Sequence, residues 1–167
     1  GLSDVFMRMR IPFDSEKAKK VNDKIFETIY YASMQESMRL AKKKHEKKKP
    51  NDSVKYPGAY SSFEGSPLEQ GKFQFDLWEQ QPSQEEPVYD WEELRNEIKT
   101  YGVLNSLVTC EMPTASSSQI LGNNECIEPI TSNIYVRRTL AGEFIVVNKY
   151  LQEDMEDLGI WNKELKE

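Results

Sequence analysis

The sequence predicts an α/β fold, and three observations carry that expectation. A helix with a capping signal at Asp90 ends at Gly102. A short run of branched apolar residues, VLNSLVT at 103–109, follows it and suits a buried strand. Pro113 then leads into a serine-rich stretch that can open another helix. Helix, glycine, buried strand, turn and helix is the order in which α/β sheets and barrels are built. Ligand sites in such folds gather where strand ends lead into helix N-termini.

Ser3 or Asp4 can cap a short first helix with Val5, Phe6 and Met9 among its apolar positions, and Pro12 stops it. Asp14 and Ser15 then begin a long helix. In it Ala18, Val21, Ile25, Ile29 and Ala32 recur at spacings of three and four, the period of one buried face, and Phe26, Tyr30 and Leu40 widen that face. From Lys42 the helix runs into KKKHEKKK before Pro50, so its cations gather near the C-terminus, where the macrodipole favours them. That run reads as a solvated helix end, with a nuclear-targeting or nucleic-acid patch as the alternative.

Residues 51–66, NDSVKYPGAYSSFEGS, carry no helical period and predict an ordered loop, a partly mobile insert or a hinge. After Pro67, Phe73, Phe75 and Leu77 alternate with polar residues, and a second loop, EQQPSQEEP, leads to Asp90. Asp90 with Glu93 three residues on is a capping-box arrangement. Leu94, Ile98 and Tyr101 mark the buried stripe of the helix up to Gly102. Further on, IYVRRTL and EFIVV flank Ala141-Gly142, a spacing that predicts a hairpin with a two-residue turn. Asn148 can cap the helix KYLQEDMEDL, which Gly159 ends. Arg137 and Arg138 are neighbours in a strand and point to opposite faces, so at most one can serve a given anion; a salt bridge is the commoner role for either.

Composition narrows the function classes. The 167 residues are 38% hydrophobic and 30% charged, enough apolar material for a core but lean for a self-sufficient globule, which leaves room for a partner. A net charge of -6 gives no basic surface field, so nucleic-acid binding is not expected. No apolar run reaches the length of a membrane span and no signal-peptide layout is present, so a soluble, cytoplasmic protein is expected. Cys110 and Cys126 form neither a CxxC pair nor a zinc pattern, and His45 is the sole histidine; neither a metal site nor a structural disulfide is expected. The chain opens at Gly1 without an initiator methionine and ends at Glu167 inside a Lys/Glu-rich pattern, so both ends are expected to be cut.

The stretch MPTASSSQILGNNE, residues 112–125, carries the chemistry. Ser116 and Gln119 stand three apart as a second capping-box candidate, so a short helix should begin within TASSS and run through Leu121 to Gly122. The first turn of a helix offers free backbone N–H groups and a positive dipole end, which together suit a phosphate. Small residues let the anion approach, and hydroxyls at Thr114, Ser116, Ser117 and Ser118 add neutral donors. The competing reading is a plain Ser/Thr-capped turn. A serine nucleophile fits poorly, because the stretch is not GxSxG and His45 lies in the lysine run.

PTASSSQILGNNECIEPITSNIYVRR resembles the segment PTAS(T/S)xQILGNNExIEPxTSNIYxRR of the large (alpha) chain of class I ribonucleotide reductases, the ribonucleoside-diphosphate reductases. GLSDVFMRMRIPFDS is similar to the family's GLADxFxxMRxPFxS opening and KIFETIYYASMQES to its long helix. YSSFEGSPLEQGKFQFDLW and LAGEFIVVNKYLQEDMEDLGIWN are similar to two further family stretches, in order along almost the whole chain. The resemblance implies that residues 1–167 are part of a catalytic barrel domain, a portion of a ten-stranded α/β barrel with long helices and a β-hairpin, carrying a basic, Pro/Ser-rich insert around 42–66. It implies that Thr114, Ala115, Ser116 and Ser117 hold the diphosphate of a nucleoside-diphosphate substrate.

The same resemblance implies what lies elsewhere. The family's radical-bearing cysteine, its redox cysteine pair and the Asn and Glu that assist proton transfer belong mostly upstream of Gly1; the radical-relay tyrosines and C-terminal cysteine pair lie downstream of Glu167. Cys110 and Cys126 match none of these, and Cys126 stands where the family usually has serine. No catalytic residue and no cofactor is therefore expected in this piece, which alone should be inactive. The implied partners are the remainder of the large chain, the small (beta) subunit with its metal-radical cofactor, thioredoxin or glutaredoxin as reductant, and ATP or dNTP allosteric effectors. The alternative is a non-catalytic split or degenerate paralogue acting as a nucleotide-binding or interaction module.

Overall fold

The computed structural model describes residues 1–49, 51, 53–82, 88–162 and 164. They fall into two compact units, one of Gly1–Lys19 with Glu111–Glu167 and one of Lys20–Cys110. The elements are α1 (Leu2–Met9), α2 (Glu16–Glu46), α3 (Gln74–Leu77), α4 (Trp91–Tyr101), α5 (Ser117–Leu121), β1 (Ile134–Thr139), β2 (Gly142–Val147) and α6 (Lys149–Asp157). The chain mixes helix and strand, as expected, but its described residues contain one two-stranded sheet and no closed barrel. No helix among them is long and apolar enough to cross a membrane.

In the unit Lys20–Cys110, most of α2 packs with α4 and the intervening loop around Met34, Met38, Phe63, Phe73, Leu94, Ile98 and Val103. The anticipated stripe on α2 is only partly right. Ala18 is buried in the other unit and Val21 and Ile25 are half-buried, but Ile29 is 46% exposed and Ala32 is exposed too. The buried line here is Met34, Met38 and Ala41, which keeps the same period but lies roughly 140° round the helix from Ile29. Periodicity identified the helix; with apolar and aromatic residues on several sides, it could not assign the phase.

The loop after α2 is ordered in its described residues because its aromatics enter that core. Phe63 meets Tyr56 and Tyr60 edge-on, at centroid distances of 4.8 and 5.6 Å. Glu69 ties the loop together, accepting from Lys55 Nζ at 2.8 Å, the Gly65 amide at 2.6 Å and the Tyr56 hydroxyl at 3.0 Å. Hydrogen bonds from Lys55, then from the Gly65 amide and Tyr56, pull the Glu69 carboxyl down to about 2 from 4.5. A depressed carboxyl pKa contributes stability that is complete above pH 4.5 and lost as pH falls towards 2. Across that window the protection of the Gly65 amide against hydrogen exchange should fall, and Glu69→Gln should flatten the dependence. Parallel profiles for the two proteins would refute the assignment.

Phe73, Phe75 and Leu77, which alternate in sequence, lie at a single helical turn, α3, rather than in an extended segment. Asp76 reaches back to accept from the Phe73 amide at 2.8 Å and pairs with Arg95 at 2.8 Å, closing that turn. The loop EQQPSQEEP is described only to residue 82; residues 83–87 lie outside the described residues. α4 forms where expected, with half of the expected capping box: Asp90 Oδ1 accepts from the Glu93 amide at 2.8 Å but the Glu93 side chain does not reach back to the Asp90 amide, Leu94 and Ile98 are buried while Tyr101 is half-buried, and the Gly102 amide closes on Ile98 O at 2.8 Å.

The strand expected at 103–109 does not form. Val103 is fully buried, but its carbonyl accepts from the Tyr60 amide at 3.1 Å, while the Leu104 amide donates to Ser37 O at 3.1 Å and the Asn105 amide to Ser37 Oγ at 2.9 Å. These partners sit on a loop and a helix. A ladder needs a second strand alongside, and without one Leu107 is left 86% exposed.

In the other unit, α1 is capped by Gly1 and not by Ser3 or Asp4, both of which lie inside the helix and are buried. Their side chains hold other segments: Ser3 Oγ accepts from the Ile130 amide at 3.2 Å, and Asp4 Oδ2 from the Asn124 amide at 2.8 Å. Arg10, with φ 52°, ends α1 and grips Asp154 of α6 with two hydrogen bonds of 2.6 Å. Ser15 does cap α2, accepting from the Ala18 amide at 3.1 Å.

The hairpin pairs β1 with β2 from Ile134↔Val147 to Thr139↔Gly142, so its two-residue turn is Leu140-Ala141, one place earlier than Ala141-Gly142. The Ala141 amide donates to Thr139 Oγ1 at 3.2 Å, which favours the earlier turn, and Gly142 takes φ 136° as the first residue of β2. Asn148 then starts α6 as expected, its side chain accepting from the Tyr150 amide at 3.2 Å.

Candidate functional site

Thr114, Ala115, Ser116 and Ser117 lie together at the start of α5. The helix covers Ser117–Leu121 and ends on Gly122 in the left-handed region, as the sequence anticipates. The carbonyls of Thr114 and Ser116 accept from the amides of Ser118 and Ile120, at 2.9 and 3.2 Å. The amides of Ala115, Ser116 and Ser117 have no backbone acceptor among the described residues, and all three residues are exposed. Unpaired amides at the start of a helical turn are the kind of donor that an anion can use.

The expected capping box is absent. Ser116 has helical backbone angles, φ −91° and ψ −45°, and its side chain makes no cap bond. A capping hydroxyl ordinarily requires the extended backbone that aims it at the following amides. Gln119 instead donates to Glu125 Oε1 at 3.4 Å. The Ser116 and Ser117 hydroxyls are therefore not consumed by capping. Ser118 differs: it is 1% exposed, with its Oγ buried and unpartnered, so it does not join the exposed donors.

Thr114 is half-buried and has φ 54°, a left-handed value that costs a non-glycine residue about 1–2 kcal/mol. Its Oγ1 accepts from the Cys126 amide at 2.8 Å, and Cys126 is itself left-handed at φ 41°. Two strained residues thus clasp each other, an arrangement that persists only where the surroundings over-determine it. Those surroundings are visible. The Cys126 carbonyl accepts from the Gly1 and Leu2 nitrogens at 2.7 and 3.4 Å, and Asp4 holds Asn124. The Tyr150 hydroxyl donates to Asp4 Oδ1 at 2.8 Å, and burial, reinforced by that carboxylate, raises its pKa.

The sequence offered no signal for this support, since Asp4 and Asn124 are 120 positions apart. Lys149, which donates to Gly122 O at the far end of α5, was equally hidden. Arg137 and Arg138 behave as anticipated. They form separate ion pairs, Arg137 with Glu125 at 3.9 Å and Arg138 with Glu143 at 2.7 Å. Cys110 and Cys126 are not joined by a disulfide.

The family model "Ribonucleotide reductase, barrel domain" matches residues 1–167. The chain belongs to the ribonucleotide reductase barrel-domain family. Among its relatives, the ribonucleoside-diphosphate reductase large subunit of Acanthamoeba polyphaga mimivirus is 53% identical over 165 residues, covering 99% of the chain and 17% of the viral protein. The large chain 2 of Saccharomyces cerevisiae is 50% identical over 167 residues, covering all of the chain and 17% of the yeast protein. The Dictyostelium discoideum large subunit is 52% identical over 167 residues, with coverage of 99% and 17%. The chain thus spans about a sixth of the length of these relatives.

Proposed function

We propose that this chain is the substrate-phosphate portion of a ribonucleoside-diphosphate reductase large chain, an oxidoreductase that makes deoxyribonucleotides. The observation that carries this reading is the run of exposed, backbone-unpaired amides at Ala115, Ser116 and Ser117. Thr114 sets the turn, the three amides and the Ser116 and Ser117 hydroxyls receive the diphosphate, and the helical dipole favours its charge. The contribution of these residues is binding and orientation. Reduction of a ribose requires a thiyl radical and a pair of reducing thiols, chemistry that hydroxyls cannot replace.

In this reading the chain acts within the complete ten-stranded α/β barrel, in the cytoplasm, with the small subunit as radical source, thioredoxin or glutaredoxin as reductant, and ATP or dNTP as allosteric effectors. The metal-radical cofactor belongs to the small subunit. No group of three His, Cys, Asp or Glu side chains among the described residues could hold a metal ion, so this segment's residues do not fit that group.

The test is electrostatic. Replacing both Ser116 and Ser117 by Asp in the complete large chain should weaken nucleoside-diphosphate binding by roughly one to a few kcal/mol, the scale of charge-assisted contacts. Equilibrium dialysis with the nucleoside diphosphate reads this directly. An unchanged dissociation constant would remove the assignment.

A further inference from the structure

We propose that Asp4 is a positioning residue for the substrate-phosphate turn, acting through residues 124–126; the inference rests on the phosphate reading of residues 114–117. Asp4 lies in the first turn of α1 and is 9% exposed. Its Oδ2 accepts from the Asn124 amide at 2.8 Å, and its Oδ1 from the Tyr150 hydroxyl at 2.8 Å, so both oxygens are engaged. Two residues beyond Asn124, the Cys126 amide donates to Thr114 Oγ1 at 2.8 Å. The path from α1 to the turn is therefore one short carboxylate, two peptide units and one threonine hydroxyl. It contains no long side chain that could absorb a displacement.

Strain at both ends of the final bond gives this path its force. Thr114 at φ 54° and Cys126 at φ 41° relax readily if either is released, and relaxation of Thr114 reorients the amides that follow it. Asp4 fixes the loop on one side of Cys126, while the Leu2 amide holds its carbonyl. The same short helix thus anchors Cys126 through its backbone start and through Asp4.

The experiment uses the complete large chain with its radical-generating partner and reads KM and kcat for the nucleoside diphosphate. Asp4→Ala should raise KM about tenfold with kcat held within about twofold, the pattern of lost ground-state and transition-state binding alike. Asp4→Asn should restore most of the affinity, because it keeps an oxygen for the Asn124 amide and the Tyr150 hydroxyl can turn to accept. Combining Asp4→Ala with Thr114→Val should cost no more than the worse single change, since both cut one path. Arg10→Ala, which breaks an ion pair of the same helix, should leave KM unchanged.

An unaltered KM in Asp4→Ala, a loss confined to the amount of active enzyme, or multiplicative effects in the double variant would each overturn the proposal. Should Asp4→Ala fail to fold, Tyr150→Phe carries the test: it frees one carboxylate oxygen and should raise KM roughly threefold, the loss of a single hydrogen bond. An unchanged KM there overturns the proposal as well. The Ser116 and Ser117 variant separates the two ideas. If it leaves binding intact, the phosphate reading fails; if it weakens binding while Asp4→Ala does not, only the positioning role fails.

Discussion

Phe63→Ala should destabilise the unit Lys20–Cys110 by about 3–5 kcal/mol, the range for removing a buried aromatic ring and leaving its cavity. Phe63 is 1% exposed and belongs to the cluster with Met34, Met38, Phe73, Leu94, Ile98 and Val103, so its loss uncouples the loop from both helices. Two rings, Tyr56 and Tyr60, lose their edge-on partner at once. The effect should be read locally in the complete large chain, because a single unfolding free energy is not defined for a protein of several domains. Hydrogen exchange in α4 should accelerate roughly a hundredfold or more, while that in α1 should stay unchanged. Unaltered exchange in α4 would show that the loop does not support it.

Gly58→Ala should cost roughly 3 kcal/mol, at the upper end for forcing an extra group into a packed interior. A Cβ at position 58 would lie 2.1 Å from the Ala41 carbonyl oxygen and 2.7 Å from its carbonyl carbon and Cα. These are backbone atoms of α2, so no side-chain rotation can make room. Ala41→Gly should therefore fail to rescue Gly58→Ala, since it removes none of the clashing atoms. Rescue by Ala41→Gly would overturn this account. Exchange should rise first in the last turns of α2 and in the loop that follows, separating this variant from the loss of Phe63.

These two positions also separate the features encoded locally in the chain from those created by packing. Asp90, Leu94, Ile98 and Gly102 announced α4 because cap, stripe and stop are all local. Asn148 and Gly122 were legible for the same reason. Gly58 was legible only as part of the aperiodic stretch 51–66, because its close approach to Ala41 belongs to tertiary packing. The hairpin was visible in its alternation, yet its turn slipped by one residue because Thr139 supplies a hydrogen bond that favours Leu140-Ala141.

Residues 103–109 failed more instructively. Their branched apolar composition suits a strand, but strand formation is a property of pairs, and Val103, Leu104 and Asn105 found partners on a loop and a helix instead. The candidate site divides the same way. The short helix and its exposed amides could be foreseen from Pro113, the serines and Gly122. The clasp between Thr114 and Cys126, and its support by Asp4, depends on chain segments brought together only by folding.

The hairpin has a practical consequence. Ile134, Tyr135, Val136, Phe144 and Ile145 are all more than 40% exposed, and among the described residues no strand lies beside the outer edge of β1 or β2. Such a ribbon is a template for intermolecular strand addition. Recombinant production of these 167 residues alone should yield clumped or insoluble material, and a charged substitution at Ile145, 74% exposed, would be the first remedy to try.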